Sequence, residues 1–291
     1  MILGALEAGG TKMVCAVGDD QGNLHERMRI PTRTPEETIP EIAAFFAGKG
    51  IRALGIGSFG PLDLNAHSPT FGNITTTPKL DWVNVPLRTR LADALRVPVG
   101  IDTDVNAAAL GEATLGAGKG LHTIVYFTIG TGVGGGLYAE GKLHHGMVHP
   151  EMGHILLHPH PMDPAPQGFC PYHMGCLEGL ACGEALNRRW GMPSRLLPDD
   201  HIAWEIQSDY LAQMCVSAIL LLSPERIVLG GGVMNQPNLI ERTRTKVLEK
   251  LGGYVAHPAI TEGIDRYIVR PGLSDNSGAV GALLLAKAAL A

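Results

Sequence analysis

The apolar positions at the start of the chain fall in short runs separated by turn residues. Residues 2–6 and 13–17 read as strands on either side of Gly9-Gly10, and a third strand ends near Ile30 after the turn Asp19-Asp20-Gln21-Gly22-Asn23. Short runs bounded in this way predict an antiparallel meander. The period then changes. Thr34-Pro35-Glu36-Glu37 has the form of a capping box with proline at the first helical position, and Ile39, Ile42, Ala43 and Phe46 follow at helical spacing to about Gly48. A buried strand is expected at 53–57. The stretch 61–85 is rich in Pro, Thr and Asn and reads as loop. A helix at 86–95, a strand at 97–101 and a helix at 105–115 complete the first half.

The second half begins again with a strand at 122–128, a glycine turn over 130–136, another strand and a turn at Gly141. This repeats the strand–glycine–strand–turn order of residues 6–24, and the repeat points to a duplicated unit. Helices are expected at 183–190 and 202–222, a strand at 226–229 and a helix to about Leu251. A strand at 267–269 and a helix at 277–290 close the chain. Strands alternating with helices in each half predict a layered α/β architecture. Gly116, Gly118 and Gly120 mark the boundary. The expected domains are 1–117, joined by the final helix 277–291, and 118–276, which carries an inserted metal-binding loop.

Composition narrows the function. The chain has 291 residues, 45% hydrophobic and 18% charged, as in globular proteins. A net charge of −5 without any basic block gives no footprint for nucleic acid. The least charged windows are broken by glycine or too short to span a bilayer. No segment reads as a signal peptide. Five cysteines, an odd number with two in a ligand-like cluster, fit a reducing cytoplasm.

Three glycine clusters follow predicted strands: Gly9-Gly10-Thr11-Lys12, the run 130–136 with Thr131 and Gly132, and Gly230-Gly231-Gly232. Glycine at such turns lets backbone N–H groups close on anionic oxygens. Neither a P-loop nor a complete dinucleotide fingerprint is present. Three clusters, one carrying Thr-Lys, favour a nucleotide triphosphate over three ordinary turns. Lys12 is either a phosphate-side charge or a solvated lysine. Glu7 is either a turn residue or an acceptor for a hydrated Mg²⁺ ion, since hard cations take oxygen ligands. Asp104, where strand hands over to helix, suits an N-cap or a general base. His154, Cys170, His173 and Cys176 have the donor types and spacing of a closed Cys₂His₂ zinc site. Six of the twelve histidines lie between His144 and His160, so the Cys-x₂-His-x₂-Cys core is the more specific part. Cys15, Cys182 and Cys215 read as core residues.

Taken in order, these segments resemble the ROK family of sugar kinases, within the actin-like ATPase superfamily. The stretch from Glu7 to Lys12 is similar to the family's first phosphate motif. Thr103-Asp104-Val105-Asn106-Ala107-Ala108-Ala109-Leu110-Gly111-Glu112 is similar to its catalytic segment. Gly146 to His154 resembles its sugar motif, and Gly230 to Gly232 the adenosine-side glycines. The resemblance implies two actin-like (ribonuclease H-like) domains with mixed sheets flanked by helices and a cleft between them. It implies Asp104 as the base, and Glu151, His154, Glu178, Gly60 and Asn73 as sugar-side residues. His154 would then serve both zinc and sugar. ATP, Mg²⁺ and Zn²⁺ are the implied cofactors, and a homodimer the implied assembly.

Three departures refine this reading. Glu7 stands where many members have Asp, Thr103 where many have Asn, and the metal loop is Cys170-x₂-His173-x₂-Cys176. Together with His149-Pro150-Glu151-Met152-Gly153-His154 they resemble the bacterial fructokinase branch. The expectation is an ATP-dependent kinase converting fructose to fructose 6-phosphate. The alternatives are a kinase for another hexose or an N-acetylhexosamine, and a sugar-sensing regulator.

Overall fold

The glycine turn at residues 9–11 joins β1 (Ile2–Ala8) to β2 (Lys12–Asp19), and β3 (Leu24–Pro31) completes a meander. The computed structural model describes residues 1–291. Helix α1 (Pro35–Phe46), β4 (Leu54–Ser58), α2 (Leu87–Leu95), β5 (Val99–Thr103) and α3 (Asp104–Leu115) follow. The second half contains β6 (Thr123–Ile129), β7 (Val133–Ala139), β8 (Lys142–Leu143), α4 (Leu177–Ala181), α5 (Gly183–Trp190) and α6 (Ile202–Leu222). It ends with β9 (Arg226–Gly230), α7 (Leu239–Leu251), α8 (Pro258–Thr261), α9 (Ile264–Tyr267), β10 (Ile268–Val269) and α10 (Ser277–Ala288). No helix is long and apolar enough to cross a membrane.

The duplication is visible in strand order. One sheet runs β3-β2-β1-β4-β5 and the other β8-β7-β6-β9-β10, the same plan twice. In the first, the meander pairs are antiparallel, while β1–β4 and β4–β5 are parallel. In the second, β6–β9 and β9–β10 are parallel and β7–β8 antiparallel.

Period-2 alternation in β1 gives the first sheet two apolar faces. Leu6 and Ala8 join Ile42, Phe46, Ile56, Leu87 and Trp82 in the larger core. Leu3 and Ala5 join Ala282, Leu283 and Ala286 of α10 in the smaller one. The alanines let α10 lie close, and Gly281 allows the closest approach. A side chain at Gly281 would set its first carbon 1.7 Å from the carbonyl oxygen of Ala107 in α3. Glu112 locks this arrangement. Fully buried, it accepts from the N–H groups of Ala117, Gly272 and Leu273 and from the Ser277 hydroxyl. In the second half, α6 is buried on most of its faces, as a central helix should be.

The chain divides into two compact units. One comprises Met1–Gly120, Gly136–Pro150 and Gly272–Ala291, the other Leu121–Gly135 and Glu151–Pro271. Residues 136–150 therefore go with the first unit, although the sequence boundaries put them in the second. Other expectations also shift. The run 130–136 is not all turn: Gly134, Gly135 and Gly136 lie in β7, where a side chain at Gly135 would collide with Met152 and Phe127. Thr34 does not close a capping box. Its hydroxyl donates to the Glu37 carboxylate (2.9 Å), and Arg33 draws on the same acid. The loop 61–85 is irregular but buries Leu62, Ile74 and Trp82. Helices α4, α8 and α9 span only four or five residues, too short for a periodic signal.

Candidate active site

The first unit carries the Glu7–Lys12 turn. Thr32 satisfies its carbonyls: its N–H donates to Thr11 O (3.0 Å) and its hydroxyl to Gly9 O (2.7 Å). Gly9 N–H closes the turn onto Lys12 O (3.1 Å). The N–H groups of Gly10 and Thr11 make no hydrogen bond within the protein. A pair of unspent donors on a glycine turn beside Lys12, which is exposed, is suited to an anion. Glu7 is half-buried beside this turn. Burial raises its pKa; Arg27 opposes that, as does the Ala279 N–H in the first turn of α10. A hard oxygen donor whose ionisation a neighbouring cation would favour fits an outer-sphere role toward Mg²⁺.

At the end of β5 the chain turns into α3. Thr103, not Asp104, is the N-cap: its hydroxyl oxygen accepts from Asn106 N–H (3.1 Å). Thr103 is buried, and its hydroxyl oxygen serves the helix as a cap. That places Asp104 at the first helical position, where the helix dipole favours a carboxylate. Its Oδ1 accepts from Val105 N–H (2.9 Å).

Asp102 is the organiser that the sequence did not reveal. Buried, it accepts from Thr103 N–H (2.8 Å) and the Asn106 side-chain amide (2.7 Å) on Oδ1, and lies 2.8 Å from His145 Nε2 on Oδ2. The hydrogen bond to Asp102 raises the His145 pKa against the opposing effect of burial. His149 behaves in the opposite way. Burial lowers its pKa, and its Nε2 accepts from Leu62 N–H (3.0 Å), which holds the Gly60-Pro61 segment in place. Asn73 is half-buried, with its backbone N–H on Thr70 O and its carbonyl on Asp63 N–H; its side-chain amide has no partner within the protein.

The second unit carries the metal-ligand set. The donor atoms of His154, Cys170, His173 and Cys176 all lie within 4.8 Å of one another. His154 Nδ1 is 3.9 Å from Cys170 Sγ and 3.7 Å from Cys176 Sγ, and His173 Nδ1 is 3.7 Å from Cys170 Sγ. Bond lengths of about 2.3 Å to sulfur and about 2.0–2.1 Å to nitrogen put S···N near ~3.6 Å around a tetrahedral zinc. The residues therefore fit a closed zinc site. The loop has a second anchor. The Asp163 carboxylate, fully buried, meets Arg189 Nε at 2.8 Å off the N–H line and accepts from Tyr210 hydroxyl (2.6 Å).

The opposite nitrogen of His154, Nε2, stands 4.0 Å from Glu178 Oε1. Glu178 Oε2 accepts from Val133 N–H (3.0 Å), so one carboxylate oxygen is committed to the second glycine turn. A side chain at Gly132 would bring its first carbon to 2.6 Å from that oxygen. Thr131 and Gly132 leave their own N–H groups unspent. Glu151 is solvent-exposed, yet protein packed around its carboxyl raises its pKa; His154 opposes this and Glu178 adds to it. Gly230 ends β9, and Gly231 packs on the backbone of Ile129 at the same turn.

The family model described as "ROK family" matches residues 3–289. The chain belongs to the ROK family. It is 44% identical to a fructokinase of Pediococcus pentosaceus over 100% of this chain and 99% of that one. It is also 44% identical to a fructokinase of Zymomonas mobilis subsp. mobilis over 99% and 97%. Among solved structures, a ROK family glucokinase from Streptomyces griseus in complex with glucose and AMPPNP superposes with a TM-score of 0.79. It shares 26% identity and covers 99% of this chain and 100% of that one. The duplicated mixed sheets flanked by helices are the actin-like fold of ROK sugar kinases.

Within each unit the expected residues of this ROK protein meet in part. Glu7, Gly9, Gly10, Thr11 and Lys12 share one turn. Thr131, Gly132 and Glu178 share another, His154 links Glu178 to the thiols, and Gly231 adjoins it. The sequence reading missed Asp102, His145 and His149. The histidine-rich stretch was the available signal, but it did not say which rings were held.

Proposed function

We propose that the protein is an ATP-dependent fructokinase that transfers the γ-phosphoryl group to a hydroxyl of fructose and yields fructose 6-phosphate. The observation that carries the reading is the pair of glycine turns with unspent N–H donors, one beside Lys12 and the other braced by Glu178. The fructokinases at 44% identity over the full chain support fructose as the hexose.

In this reading Asp104 accepts the hydroxyl proton as the sugar oxygen attacks phosphorus and the bond to the β-phosphate oxygen breaks. Its place at the helix N-terminus suits a negatively charged side chain. Lys12 and the N–H groups of Gly10, Thr11, Thr131 and Gly132 stabilise charge on the phosphates. Gly230 and Gly231 bound the adenosine side. Mg²⁺, held through water by Glu7, would neutralise phosphate charge. Glu151, His154 and the free oxygen of Glu178 hold sugar hydroxyls, with Gly60 and Asn73 contributing from the first unit. Zinc on His154, Cys170, His173 and Cys176 would be structural, because four protein ligands leave no open position. We take the active form to be a homodimer.

An ATP-coupled assay with fructose, mannose, glucose and N-acetylmannosamine tests the substrate. Fructose should give the highest kcat/KM by more than about tenfold, since a pocket that hydrogen-bonds several hydroxyls discriminates between sugars. Preference for any of the others defeats the assignment to fructose.

A further inference from the structure

The first glycine turn has a second lysine beside it. Trp82, 1% exposed, anchors the short helical turn Leu80–Trp82 by donating its indole N–H to Arg33 O (2.8 Å). Arg33 follows Thr32, the residue that binds Gly9 and Thr11. Trp82 N–H also donates to Lys79 O (2.8 Å). A short bonded path therefore ties the backbone of Lys79 to the phosphate-side turn. Its side chain leans back over that turn, with Cε 3.6 Å from where a Cβ on Gly10 would stand.

The charge at the end of that side chain is uncommitted. Lys79 makes no ion pair, although Asp81 lies two residues on and is exposed. Arg33, by contrast, is neutralised by Glu37 and Glu41. Lys12 is also without an ion pair. Two lysines without ion pairs thus belong to one turn, and an anion bound there would draw on both charges. The unspent N–H groups of Gly10 and Thr11 suit the same anion.

We propose that Lys79 is a second phosphate-facing cation, standing over Gly10 and binding the terminal phosphate of the nucleotide together with Lys12. The inference rests on the kinase reading above and adds a residue to it. Charge on the transferring group spreads over three equatorial oxygens, so a second fixed cation stabilises the transition state more than the ground state.

Lys79→Met, Lys79→Gln and Lys79→Arg in the full chain test this. The wild type is assayed first: without ATP-dependent phosphorylation of any hexose, the kinase reading itself fails. Binding of AMPPNP and ADP is measured separately by calorimetry and needs no turnover. The expected result for the Met and Gln variants is a kcat about 100-fold lower. AMPPNP affinity should weaken by about tenfold, with ADP affinity and the melting temperature unchanged. Arg should restore most of the turnover. With an active wild type, neutral variants within about twofold of it in kcat overturn the proposal. Equal losses of ADP and AMPPNP affinity overturn it too, because the residue would then act through the fold.

Discussion

His154 Nε2 stands 4.0 Å from Glu178 Oε1, while Nδ1 of the same ring faces the thiols of Cys170 and Cys176 at 3.9 and 3.7 Å. One imidazole thus joins the metal-ligand set to a carboxylate that braces the second glycine turn through Val133 N–H. A ligand's other nitrogen is ordinarily oriented by a hydrogen-bonded outer partner; here the carboxylate that faces it at 4.0 Å, outside hydrogen-bond reach, belongs to a proposed substrate residue.

The expected consequence is coupling between metal and sugar. Cys170→Ser should lower bound zinc, measured by elemental analysis, from one per chain to a small fraction. It should also raise the KM for fructose by about tenfold or more, the scale seen when the surroundings of a metal ligand are disturbed. The Asp163–Arg189–Tyr210 anchor is untouched by this change, so the loop has a second reason to stay folded. Loss of zinc with an unchanged fructose KM would show that His154 does not transmit.

The Asp102–His145 pair makes a pH prediction. Its folded pKa is raised above the ordinary histidine value near 6.5. Such a group contributes stability that is complete below the unfolded pKa and lost as pH rises through the folded one. His149, facing the same pair, has a lowered pKa and acts in the opposite sense, losing its contribution as pH falls. Comparing wild type with His145→Gln cancels His149 to first order. The urea midpoint difference between them should shrink steadily from about pH 6 to about pH 9. A difference that stays flat across that range contradicts the ion pair.

Much of the candidate site was legible because the residues that share a turn or a ligand set are close in sequence. Glycine turns, Glu7–Lys12 and the Cys-x₂-His-x₂-Cys core are encoded within a few residues of chain. Asp104 lies at the strand-to-helix junction where the sequence puts it, but the cap belongs to its neighbour: adjacent Thr and Asp both suit an N-cap, and only the hydroxyl bond of Thr103 to Asn106 decides between them. His145 and His149 were illegible for a different reason. Their partners Asp102 and Leu62 lie 43 and 87 residues away, and no spacing rule reaches that far. Trp82 belongs with them, since its hydrogen bond to Arg33 crosses 49 residues. In the fold, strand order followed from the repeat, whereas α4, α8 and α9 are shorter than a helical pattern needs.

The central claim is that Asp104 accepts the proton of the attacking hydroxyl, and Asp104→Asn tests it most directly. The substitution keeps the size of the side chain and an oxygen to accept from Val105 N–H, while removing the basic carboxylate. General-base catalysis contributes about 10²–10⁴-fold, so the variant should turn over fructose about 1,000-fold more slowly while binding it within about threefold of wild type by calorimetry. Turnover within about tenfold of wild type would contradict the account.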